Sequence, residues 1–198
     1  PALRGFHKMK IDGKFDDWTG IGVEYRDTRG DVFHRDHPGY GNLHYSDESG
    51  RNDIISSRVA VSKKSIAFYA ETDQPLTSQQ DENWMLLLID ADQDASTGWY
   101  GYDYLVNGQI TDDKNTTLQK YNQEKGDWLE ESTLGFRYEN NQLELQIPRD
   151  KLGLQGDSFS FDFKWSDNPR GLEDPISLCT GGDTAPNRRF NYRVIWKK

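Results

Sequence analysis

The sequence predicts an all-β domain, a β-sandwich of jelly-roll type with mostly antiparallel strands and long loops. Three observations carry this. Only 34 % of residues are hydrophobic, yet 13 % are aromatic, a balance that suits half-buried pleated surfaces better than helix bundles. Short apolar runs recur with period two. Gly, Pro, Asn and Asp punctuate them, and helix signals are thin.

The elements follow in order. Arg58–Ser62 and Ser65–Thr72 alternate and meet at Lys63-Lys64, which reads as a hairpin. Ile66, Phe68 and Ala70 share one face of the second run. Trp84–Asp90 is almost continuously apolar, the mark of a strand covered on both sides. Tyr102–Asn107 and Gln142–Pro148 are further strands. Phe159–Ser166 sets Phe159, Phe161, Phe163 and Trp165 against Ser160, Asp162, Lys164 and Ser166. In Arg189–Lys197, Phe190, Tyr192, Val194 and Trp196 fall on one face. Thr117–Asn122, Asp127–Glu131 and Leu134–Tyr138 read as outer strands. Pro148–Leu154 has room for one helical turn. Two long loops, Arg26–Asn52 and Asp167–Arg188, exceed the roughly 12–15 residues usual in a compact domain, which points to function.

A chain of 198 residues suggests one domain over residues 1–198. Its start at Pro1 suggests a piece cut from a larger protein. The net charge of −9 argues against a nucleic-acid partner or an anionic membrane surface and suits cations or neutral polar ligands. Cys179 is the sole cysteine, so no intramolecular disulfide forms. No run of about 18 apolar residues is present, so no membrane insertion is expected.

Asp90–Asp103 reads DADQDASTGWYGYD and is the densest chemistry in the chain. Calcium takes six to eight oxygen ligands, and alternate aspartates on a tight loop can aim several at one point. Asp90, Asp92 and Asp94 are the candidate ligands, with Asp103 completing the set from the returning strand. Ser96 and Thr97 offer further oxygens. The loop is not an EF-hand: counted from Asp90, Ala95 and Gly101 stand where that motif needs Gly and Glu. The expected ion is calcium, with magnesium and sodium as alternatives. Zinc is not expected, since imidazole and thiolate are absent nearby. The competing reading is an ordinary turn whose aspartates cap backbone amides.

Trp99 and Tyr100 follow the acidic run, where strand alternation does not demand burial. They are candidate platforms for the C–H face of a sugar. Trp165 ends a strand that leads into Asn168 and Arg170, and Arg188 closes the same loop. Together these form the candidate ligand set, if the loops meet at one end of the sandwich. Trp165 and Trp196 also lie on apolar strand faces, where core is the natural place for both. His34, Asp36, His37 and His44 match no named zinc spacing. No nucleophile elbow, phosphate loop or dinucleotide fingerprint is present, so no catalytic residues are expected.

Four stretches, taken in order, resemble the family 9 carbohydrate-binding modules and their DOMON-like relatives. IDGKFDDW (Ile11–Trp18) resembles the opening motif. RVAVSKKSIAFYAETD resembles the hairpin that follows it, WMLLLIDAD the central strand ending in an acidic residue, and LELQIPRDKLGL a late strand and turn. The resemblance implies a β-sandwich holding structural metal and, in many members, binding an oligo- or polysaccharide. IDADQDASTGWYGYDYLVN resembles a subgroup in secreted, periplasmic or surface proteins of glycan-degrading bacteria, where an adjacent catalytic domain is the usual partner. The implied function is non-catalytic targeting of that enzyme to its glycan. The alternative is a structural module that packs on its neighbour and binds no sugar. Some DOMON relatives bind haem through His or Met, and His34, His37 and His44 are the residues that would serve.

Overall fold

The computed structural model describes residues 2–32 and 35–198. His34 therefore lies outside the described residues. The described strands are β1 (Leu3–Arg4), β2 (Glu24–Arg26), β3 (Arg35–Pro38), β4 (His44–Asp47), β5 (Ile54–Val61), β6 (Ser65–Thr72) and β7 (Leu86–Asp90). They continue with β8 (Tyr104–Ile110), β9 (Asn115–Asn122), β10 (Asp127–Glu139), β11 (Gln142–Pro148), β12 (Ser158–Asp167), β13 (Asp183–Ala185) and β14 (Tyr192–Lys197). One 3-10 turn (Phe15–Trp18) and one single-turn helix, α1 (Ser177–Thr180), complete the elements.

The strands form a large curled sheet in the order β1-β14-β12-β7-β8-β9-β10-β11-β6-β5-β2, with β13 alongside β12. Pairing is antiparallel except between β1 and β14. The fold is all-β and sandwich-like, as the sequence predicts. β10 makes the curl. Its 13 residues pair with β9 from Asp127 to Gly135 and with β11 from Phe136 to Glu139, which carries the chain from one layer to the other. A bulge between Glu130 and Ser132 lies along that bend. Asp127–Glu131 and Leu134–Tyr138 are thus parts of one strand.

Period two explains the core. Phe161, Phe163 and Trp165 of β12 point inward, and Phe68 of β6 meets the first two edge-on at 6.0 and 5.7 Å across the layers. Trp84 and Trp196 are buried in the same core. β7 is covered on both faces, as its unbroken apolar run requires.

Several expectations change. Residues 149–153 form turns and no helix; the helical turns lie at Phe15–Trp18 and Ser177–Thr180 instead. β14 starts at Tyr192, so Phe190 leaves the strand face and is 70 % exposed. The first long loop contains the hairpin β3–β4, and the second contains α1 and β13. The polar face of β12 is not a solvent face. Asp162, Lys164 and Ser166 are buried, and Lys164 Nζ donates to the carbonyls of Pro186 and Arg188, which cross over it.

Candidate metal centre and aromatic surface

β7 delivers Asp90 to the end of a buried strand, and the chain returns through Asp103 just before β8. Asp90, Asp92 and Asp103 converge, each offering one carboxylate oxygen within 4.8 Å of the others. Ligands around a calcium ion at about 2.4 Å stand roughly 3–5 Å apart, so this spacing suits such an ion. Thr97 Oγ1 lies within the group, 3.0 Å from Asp92 Oδ2 and 3.5 Å from Asp103 Oδ1. Burial pushes the Asp90 carboxyl up to about 6, with the charges of Asp103, Asp162 and Asp92 acting in the same direction. Burial also raises Asp103, and Asp92 adds to it. Beside the group, Arg193 engages both oxygens of Asp162 at 2.8 and 2.9 Å, which offsets part of that carboxylate's charge.

Asp94 does not join them. Its Oδ1 accepts hydrogen bonds from the Ser96 amide and hydroxyl in a local turn, which holds its carboxyl below the ordinary range and out in solvent. For Asp94 the capping reading wins, and Ser96 turns to it rather than to the cluster.

The next residues form a tight turn. Trp99 N donates to Tyr102 O at 2.8 Å and Tyr102 N to Trp99 O at 3.0 Å. Tyr100 and Gly101 between them both have positive φ, as a type I′ turn requires. That geometry lays Trp99 and Tyr102 side by side on the outer face of the sheet, with rings stacked 6.3 Å apart. They join Leu86, Leu88, Leu105 and Leu178 in a small second core. Trp99 is consequently 4 % exposed, so it braces the turn and offers no open ring face. Tyr100 stands at the tip, 64 % exposed and edge-on to Trp99. Half-buried Trp128 and Tyr121 continue the aromatic surface, Trp128 lying 6.2 Å from Trp99 and 5.1 Å from Tyr121.

No family model, curated protein or solved structure matches the chain. The motif resemblance therefore stands on the residues of the chain alone.

The remaining candidate ligand residues are elsewhere. Trp165 is fully buried in the main core, where its indole N–H donates to Ser57 Oγ at 3.0 Å. Asn168 and Arg170 follow β12 at the end where β7 begins, whereas Asp90 lies at the end where β7 finishes. Five strand residues at about 3.3 Å each separate the two ends. Asn168 leans towards Asp47, and Arg170 donates to Ser46, so both tie the second loop to β4. Arg188 is exposed on the segment over Lys164. The loops thus do not gather into one site. Among the described residues, His37 and His44 form no metal-like group either: His44 bonds Asp36, and His37 contacts the Pro38 carbonyl.

Sequence reasoning missed Tyr121 and Trp128. Both sit on strands read as outer ones, and the signal was present: Tyr121 and Trp128 are register partners on β9 and β10. A surface groove of about 1190 Å³ is lined by Lys8, Ser62, Lys63, Lys64, Gln146 and Arg149 among others and by none of the predicted ligand residues. No helix among the described residues is long and apolar enough to cross a membrane.

Proposed function

We propose that this chain is a non-catalytic carbohydrate-binding module that targets an attached enzyme, at the cell surface or outside it, to an oligo- or polysaccharide. The observation that carries the reading is Tyr100. An aromatic ring held out in solvent by a tight turn, edge-on to Trp99, which in turn neighbours half-buried Trp128, suits the apolar C–H face of a sugar ring. Calcium at Asp90, Asp92 and Asp103 would fix the same loop, since three close carboxylates repel one another without a cation. The motif resemblance supports the same class.

The second reading is a structural module that docks on its neighbouring domain without binding sugar. Phe190, 70 % exposed, favours it, because exposed aromatics are enriched at protein interfaces.

The deciding experiment is retention of the chain on a panel of immobilised polysaccharides, in calcium and in excess chelator. The expected result is retention by at least one glycan, reduced by chelator and abolished in Tyr100→Ala. A folded chain that binds no glycan overturns the reading in favour of docking. Retention that survives Tyr100→Ala but is lost in Lys63→Ala/Lys64→Ala moves the site to the large groove.

A further inference from the structure

A second acidic group is assembled from three distant parts of the chain. Asp27 follows β2, Asp31 lies four residues on, and Asp183 opens β13. One oxygen from each lies within 4.8 Å of the others. Asp53, just before β5, is 6 % exposed and borders the same group. Its Oδ2 accepts the amide of Gly30, next to Asp31, at 2.6 Å. The following amide, Ile54 N, donates to Asp183 Oδ2 at 2.7 Å. Asp53 is thus wedged between the two.

Three of the unpartnered buried polar atoms fall on this group. Among the described residues, Asp27 Oδ2, Asp31 Oδ1 and Asp53 Oδ1 are all shielded from solvent and have no hydrogen-bond partner. A buried carboxylate oxygen left without a partner carries its full desolvation penalty, and three such atoms on neighbouring aspartates call for a cation. No protein cation among the described residues pairs with these carboxylates directly, although Lys164 and Arg29 act on Asp27, Asp183 and Asp53 from a distance. Among the described residues no salt bridge engages any of the four aspartates. Arg29 pairs with Asp73, and Arg35 donates to the carbonyls of Gly182 and Asp31. Lys164 spends its ammonium on the Pro186 and Arg188 carbonyls. Among the described residues, the polar side chain that reaches in is neutral: Asn187 Nδ2 donates to Asp27 Oδ1 and Asp31 Oδ2.

We propose that Asp27, Asp31, Asp53 and Asp183 form a cation site, distinct from the Asp90 loop, for a hard divalent ion of the calcium class. All-oxygen, carboxylate-rich surroundings on irregular backbone suit calcium better than zinc, which seeks imidazole or thiolate, or magnesium, which demands strict octahedral order. The ion fastens the start of the first long loop to β5 and β13. It is a brace for the end of the sandwich away from Tyr100 and is independent of the glycan reading.

The test uses the full chain in an Asp90→Asn/Asp92→Asn background, which removes the other acidic loop. Stripped protein is titrated with calcium chloride by calorimetry, and with terbium chloride by sensitised luminescence. The background variant is expected to bind one calcium ion, to sensitise terbium in a calcium-competed manner, and to gain thermal stability with calcium. Adding Asp31→Asn, or separately Asp53→Asn, is expected to weaken calcium binding at least about tenfold, because affinity follows ligand charge. A folded background variant that binds no calcium overturns the proposal. So does undiminished binding in both added variants. If the added variants fail to fold, the background stoichiometry decides alone.

Discussion

Trp18 donates its indole N–H to Glu144 Oε2 at 2.9 Å. The other oxygen of Glu144 accepts the amides of Asp12 and Gly13 at 3.0 and 2.8 Å. A fully buried carboxylate on β11 therefore receives three N–H groups from the N-terminal segment. Trp18 also packs against Tyr69 of β6 at 5.3 Å, which roofs the outer face of that layer. Burial raises the Glu144 carboxyl, and these hydrogen bonds oppose the rise. Glu144→Gln replaces one acceptor oxygen by a donor facing another donor. The expected loss is about 1–3 kcal/mol of unfolding free energy, the cost of an unmatched buried polar group. Urea unfolding followed by tryptophan fluorescence measures it; a change below about 0.5 kcal/mol would show that the cluster is dispensable.

This pair also shows what the chain discloses in advance. IDGKFDDW and the alternating run through Leu143, Leu145 and Ile147 are both legible, because period two sorts side chains by face. Their union at Glu144 is not: alternation assigns Glu144 to the solvent face, and only the folded N-terminal segment covers it. Lys164 fails in the same way under residues 186–188. The acidic cluster at Asp90–Asp103 was legible because its carboxylates are local in sequence. Asp94 was misread because an aspartate that caps its own turn has the same spacing as one that points inward. Asp27, Asp31, Asp53 and Asp183 carry no local pattern, since their meeting depends on strand pairing.

Gly98 sets the turn that follows the acidic loop. Its φ is +61°, and a Cβ there would lie 2.2 Å from the Tyr102 carbonyl oxygen, a backbone atom with no rotamer to yield. Gly98→Ala is expected to cost about 2–3 kcal/mol and to weaken the near-ultraviolet dichroism of the Trp99–Tyr102 stack. Gly153→Ala is the control. Its φ is +69° but nothing lies near the new carbon, so strain alone should cost about 1–2 kcal/mol. Equal losses in both would refute the steric argument.

Trp99 and Tyr100 are neighbours with opposite assignments. Trp99→Ala opens a cavity in the second core and should lower stability by about 3–5 kcal/mol. Tyr100→Ala removes an exposed ring and should stay within about 0.5 kcal/mol of the parent. Thermal unfolding separates them. A destabilised Tyr100→Ala would mean that the tip residue is a structural prop, and its use as a binding probe would fail.

Lys164 gives the pH test. Burial lowers its ammonium to about 8 from 10.5, while Cys179, Asp27 and Asp183 pull the other way. A lysine depressed in the folded state holds fewer protons there than in the unfolded chain between those two values. Stability contributed at this position therefore rises as pH climbs from about 8 towards 10.5, by on the order of 1–3 kcal/mol. The neutral amine still donates to Pro186 and Arg188, so deprotonation sheds a buried charge without losing either hydrogen bond. Tyr25, raised by burial to about 12, acts in the opposite sense once the unfolded phenol ionises near 10, which confines the clean window to about pH 8–10. Lys164→Met should lower stability at neutral pH or leave it near the parent, depending on how well the thioether packs. Its signature lies in the slope. The rise between pH 8 and 10 seen in the parent should flatten in Lys164→Met, as read from urea midpoints across that range. An unchanged slope would show that Lys164 remains charged and hydrated in the fold.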